Sequence, residues 1–180
     1  MTYSIPGLSQ EDGDKIAKIL QVRLSAYNDL HLTLKHVHWN VVGPHFIGVH
    51  EMIDPQVEAV RGFADATAER IAALGSSPRG TVGAITNDRD WDDYALDRDT
   101  VPAHLAALNL VYVGVIKDVR EAIEEIGELD PVTEDLLISH AAELEQFHWF
   151  IRAHLENAGG ELISAGARTE EGAAKKARNL

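Results

Sequence analysis

The stretch Ile16-Ala17-Lys18-Ile19-Leu20-Gln21-Val22-Arg23-Leu24-Ser25-Ala26-Tyr27-Asn28-Asp29-Leu30-His31-Leu32-Thr33-Leu34 carries the reading that decides the fold. Ile16, Leu20, Leu24, Tyr27 and Leu34 fall on one face at helical spacing, and Ile19, Val22 and Leu30 widen it. Ser9, with Asp12 three residues on, predicts the N-cap, so the helix runs from about residue 10 to Asn40. At roughly 30 residues it is long for a globular helix and favours a bundle.

Downstream, Val41-Val42-Gly43-Pro44 reads as a break. A second helical pattern spans about 45–74 and ends at Gly75. Pro55 predicts a kink in a single helix, with Asp54-Pro55 as the cap of a new helix the alternative. Residues 75–97 read as loop, with a short helix expected at Asp90-Trp91-Asp92-Asp93-Tyr94. A third long helix is expected over about 98–127, with Pro102 in its first turn. Asp130-Pro131 breaks the chain again, and a fourth helix over about 132–158 stops at Gly159-Gly160. No stretch shows a strand pattern. The expected class is all-α: a ferritin-like four-helix bundle with a short helix in the long crossover between the second and third long helices. Residues 1–9 read as an N-terminal arm, 10–160 as the bundle, and 161–180 as a flexible tail.

A chain of 180 residues suits one domain with a substantial core. There is no cysteine, which excludes disulfides, thiolate metal sites and cysteine nucleophiles. No membrane-spanning apolar run occurs, and the N-terminus lacks the blocks of a signal peptide, so a cytoplasmic location is expected. Net charge is -13. Residues 165–180 hold four bases and two acids, a net of +2, which leaves -15 on the body. Such a body repels nucleic acid and attracts cations. Nine histidines without cysteine suit iron, manganese or zinc rather than soft metals.

The second helix carries His50, Asp54, Asp65 and Glu69, at about 0°, 40°, 60° and 100° around its axis, so the four share one stripe. His50/Asp54 and Asp65/Glu69 are i, i+4 pairs, each able to reach one ion. His38 lies just upstream. Along the helix, however, Asp54 and Asp65 are roughly 16 Å apart, against metal–ligand bonds of about 2 Å. Either these are two half-sites, or a second chain running antiparallel brings its Asp65/Glu69 against His38/His50/Asp54, as a two-fold dimer does.

The run from Asn28 to Gly43, with its Lys35-His36-Val37-His38-Trp39-Asn40 centre, resembles the first-helix signature of the Dps family of mini-ferritins, in its actinobacterial branch. Phe46 to Asp54, ending His50-Glu51-Met52-Ile53-Asp54, and Asp65-Ala66-Thr67-Ala68-Glu69-Arg70-Ile71 resemble the next two pieces, and the likeness spans about residues 10–160. It implies a ferroxidase site of His38, His50 and Asp54 from one subunit and Asp65 and Glu69 from its two-fold mate, with Trp39 beside it. It also implies Fe²⁺/Fe³⁺ as the metal, two irons per site, peroxide as preferred oxidant, and ferric mineral stored in a hollow homododecamer that protects DNA from oxidative damage. Glu128, Asp130, Glu134 and Asp135 would lie near an iron-entry pore; acids capping a helix N-terminus are the alternative.

Rival readings are weaker. A single-chain di-iron bundle needs Glu-x-x-His twice, and Glu145-Gln146-Phe147-His148 is one copy. A zinc protease needs a second histidine where Asp54 stands. A DNA-compacting, nucleoid-associated protein would bind through Arg168, Lys175, Lys176 and Arg178 of the tail, with iron oxidation secondary. His31, His36, His45, His104, His140 and His154 read mostly as surface or interface residues.

Overall fold

Ser9 begins the first helix as expected: its hydroxyl accepts from the Asp12 backbone N–H at 3.0 Å. The computed structural model describes residues 5–178. Its elements are α1 (Gln10–Asn40), β1 (Val41–Val42), α2 (Phe46–Ala73), α3 (Val82–Asp88), β2 (Asp99–Thr100), α4 (Val101–Gly127), α5 (Pro131–Ala153) and α6 (Glu170–Ala177). Residues 1–4 of the expected arm lie outside the described residues; Ile5–Leu8 make a turn, with Ile5 and Leu8 against the core.

The four long helices form the bundle. α1 packs on α2 and α4 on α5, and the pairs meet through α1 and α4. Ile16, Leu20, Tyr27, Leu30 and Leu34 of α1 are fully buried against Ile53 and Ile71 of α2 and Leu105, Leu108, Tyr112 and Ile126 of α4 in one core. Burial of such side chains stabilises by about 1.5–3 kcal/mol each, which is why the helices hold together. Among the described residues no helix is long and apolar enough to cross a membrane.

Three local expectations are corrected and one holds: α2 runs as a single helix through Pro55, with no second helix starting at Asp54. Pro55 and Glu51, whose carbonyl loses its partner, are both exposed, so water takes the place of the missing bond. The crossover helix is α3 at 82–88, anchored by buried Ile85, and Asp90–Tyr94 is not helical. There the Trp91 indole N–H donates to Asp29 at 2.7 Å and Arg89 bridges Asp29 and Asp93, which ties the segment to α1. Val41–Val42 pairs in parallel with Asp99–Thr100, a two-residue ladder where a plain break was expected. Finally, the tail folds. Thr169 caps α6 by accepting from Gly172 N–H at 3.1 Å, and Ala173, Ala174 and Ala177 are fully buried, Ala174 in a cluster with Leu96, Ala103 and Ala107. Three alanines on one helical face let the backbone approach α4 closely, which a composition of Gly, Ala and charge conceals.

Candidate metal centre

His38 ends α1 and His50 stands in the first turns of α2, so the tight Val41–His45 connection brings them face to face. Their rings stack with centroids 3.6 Å apart. His50 Nδ1 lies 3.0 Å from the His38 backbone carbonyl. An oxygen acceptor there makes Nδ1 the protonated nitrogen and leaves the Nε2 lone pair for a metal or proton. His38 is buried, and its Nε2 lies 3.1 Å from Asp54 Oδ1. Both ring nitrogens of His38 nevertheless go without a hydrogen bond of good geometry, an orphaned donor set in a shielded place. Burial lowers the His38 pKa, with Asp54 opposing and His50 adding to the fall. A neutral histidine is the metal-binding form.

Lys35, one turn before His38, carries no signal of its own in the sequence. Its ammonium donates to Asp54 Oδ1 at 3.1 Å and hangs 5.9 Å over the Trp39 ring. That hydrogen bond, with His38 beside it, holds the Asp54 carboxyl below its usual range. Trp39 is 71% exposed, an unusual state for a tryptophan in a lone subunit. Leu32, Phe46 and Ile47 are exposed as well.

Asp65 and Glu69 do not join this cluster. Both are exposed on α2. Asp65 opens instead onto a groove between α1 and α2, floored by Gly62, Ala64 and Ala68 and flanked by His31 and Arg61. Among the described residues no three His, Asp or Glu side chains of the chain gather closely enough to hold an ion. His38, His50 and Asp54 thus form one neighbourhood, and Asp65/Glu69 another.

The acids at the α4–α5 junction diverge. Asp130 is buried and accepts from Val132 N–H, Thr133 N–H, the Thr133 hydroxyl and the Arg70 guanidinium, the last at 2.5 Å. Burial pushes its pKa up, but these bonds outweigh burial and the net shift is down. Asp130 is therefore a helix cap and an α2–α5 tie, the capping alternative. Glu134 folds across Gly127, while Glu128 and Asp135 are exposed.

The di-iron bundle also fails. Glu145 pairs outward with Arg120 at 2.6 Å, and His148 bonds Asn109 at 2.9 Å. The bundle interior holds the Tyr112–Gln56 hydrogen bond and His140 stacked on Phe63 at 4.4 Å instead of carboxylates. His140 and His104 are buried, not surface residues. In the tail, the Lys176 ammonium donates to the Ala165 carbonyl and Arg178 forks onto Asp99; Arg168, Lys175, Lys176 and Arg178 are all exposed.

A ferritin-like domain model matches residues 17–159. The chain is 67% identical to the DNA protection during starvation protein of Mycolicibacterium smegmatis, over 98% of this chain and 97% of that one. It is 48% identical to the fine tangled pili major subunit of Haemophilus ducreyi, over 89% of this chain and 85% of that one. The solved structure of Mycobacterium smegmatis Dps superposes with a TM-score of 0.94 at 66% identity, covering 96% of this chain and 99% of that chain. The chain therefore belongs to the Dps family of ferritin-like proteins.

Proposed function

We propose that this protein oxidises Fe²⁺ at sites shared between two copies of the chain, stores the ferric product, and so protects DNA from iron-driven oxidative damage. The observation that carries this reading is the separation on one stripe of α2. His38, His50 and Asp54 cluster at one end, and roughly 16 Å along the helix Asp65 opens onto a groove, with Glu69 exposed one turn on. A second chain running antiparallel places its groove over the histidines and covers Trp39, giving two equal sites per dimer.

Iron is the substrate. Two histidines with lone pairs free and three carboxylates bind Fe²⁺ and favour the more highly charged Fe³⁺. Hydrogen peroxide is the proposed oxidant. Each of two Fe²⁺ gives up one electron, the O–O bond breaks, and two protons complete two waters, so no hydroxyl radical is released. The ferric ions then hydrolyse to mineral inside a cytoplasmic homododecamer of two-fold dimers. Glu128, Glu134 and Asp135 remain the proposed acids for drawing Fe²⁺ inward.

The double variant His50→Ala with Asp65→Ala assembles but loses fast peroxide-driven Fe²⁺ oxidation. A mixing experiment tests the sharing itself. Subunits carrying only His50→Ala and subunits carrying only Asp65→Ala are each inactive, yet random pairing restores one intact site in each mixed dimer, about a quarter of wild-type activity. No recovery after dissociation and reassembly refutes the shared site.

A second reading, direct DNA contact, is favoured by the gathering of Arg168, Lys175, Lys176 and Arg178 at one end of the chain. Association with the nucleoid would follow from it.

A further inference from the structure

α6 is clasped at both ends by the same short segment. At its start, Glu170 accepts from the Ala95 backbone N–H at 2.6 Å. At its end, Arg178 forks onto Asp99, with Nε and Nη2 at 3.0 and 2.7 Å from Oδ2. Between the clasps, Ala173, Ala174 and Ala177 supply the buried face, and the Lys176 ammonium turns back to donate to the Ala165 carbonyl at 2.5 Å. Two of the four tail bases are thus spent on the protein's own acceptors. The grip is shallow: alanine methyls offer little apolar area, and the Arg178 side chain stays 48% exposed, so salt or a competing polyanion weakens it.

We propose that docking of α6 is an autoinhibitory contact: clasped on α4 and the 95–99 segment, the tail spends Arg178 on Asp99 and is held against the acidic body, and release of the helix frees Arg178 and the rest of the tail for DNA. This rests on the tail being the DNA-contacting element. A released tail is a flexible chain with four cations and two acids, and several on one particle act together. A docked tail leaves the acidic body to dominate, because Arg178 then neutralises Asp99 instead of a phosphate.

The test uses the full assembled protein and linear duplex DNA in gel shifts at low salt. Ala174→Glu drives a charge into the alanine contact, and Asp99→Asn removes the anion that Arg178 grips. Trypsin, cutting after Lys175 and Lys176, reads release directly. Both variants are expected to be cut faster and to shift DNA at lower protein concentration. Ala174→Glu is decisive, since it adds negative charge and on charge alone would weaken binding. The freed Arg178 of each engaged tail also steepens the salt response, so that per engaged tail binding falls about threefold more than wild type between 50 and 200 mM salt. Faster trypsin cutting without a gain in DNA binding overturns the autoinhibition. Equal binding by the released variant Asp99→Asn and by a chain carrying Asp99→Asn but lacking 168–180 overturns the tail reading itself.

Discussion

Asp130→Ala separates a structural carboxylate from a pore-lining one, and its cost follows from four contacts. The mutation removes the α5 cap, worth about 1 kcal/mol. It also leaves Arg70, whose side chain is 17% exposed, without its anion. Breaking a buried pair costs about 3–5 kcal/mol. Here the lower end applies or less, because Arg70 Nε still donates to the Thr133 hydroxyl at 2.8 Å and water reaches part of the guanidinium. The sum is about 3–4 kcal/mol. For a chain of this size each kcal/mol moves the melting point by about 2–4 °C, so Tm falls by about 6–16 °C. Scanning calorimetry at fixed scan rate and concentration reads this, with exposed Asp135→Ala as a control expected within about 0.5 kcal/mol of wild type. Since the Asp130 pKa is held down, its contribution is present above the usual carboxylate range and is lost as pH falls below it. If Asp130→Ala melts like wild type yet slows iron uptake, the cap-and-tie assignment is wrong and the pore role returns.

Two further outcomes are expected. Burial lowers the His140 pKa from 6.5 to about 4, so the unfolded chain takes up a proton that the folded chain refuses. Stability therefore falls as pH drops through that window and levels off below it, by up to about 3 kcal/mol. His140→Phe should narrow the gap between Tm at pH 7 and at pH 5, and an unchanged gap removes His140 as the cause. Lys35→Ala frees Asp54 from its ammonium and should tighten Co²⁺ binding, a non-oxidising probe read by calorimetry, by a few-fold at most because the pair is exposed. Weaker binding would show that Lys35 holds Asp54 in place for the metal rather than away from it.

The long helices were legible because an apolar period of 3.6 residues, sustained over some 30 positions, matches the turn of an α-helix and no other regular backbone. The stripe of His50, Asp54, Asp65 and Glu69 was legible for the same reason. What escaped depended on partners distant in the chain. The 90–94 segment has helical composition, but Asp29, some 60 residues earlier, captures Trp91 and Arg89. The tail looked mobile because its alanines mean nothing until Ala103 and Ala107 stand opposite. Asp130 looked like one acid among four, and only the fold turns Arg70 toward it. Lys35 was hidden in plain view: it sits one turn from His38, yet nothing in its neighbours says that Asp54, nineteen positions on, will share its ammonium.

The two-residue ladder between β1 and β2 has a mechanical consequence. Val41 stands three residues after His38, and its register partner Asp99 is the residue Arg178 grips. A slip of one residue there would displace Asp99 by about 3.3 Å relative to the histidine end of α1. Tension on the carboxyl end of the chain is therefore directed by way of Asp99 to the strand that starts three residues after His38, and the ladder acts as the rivet between the two.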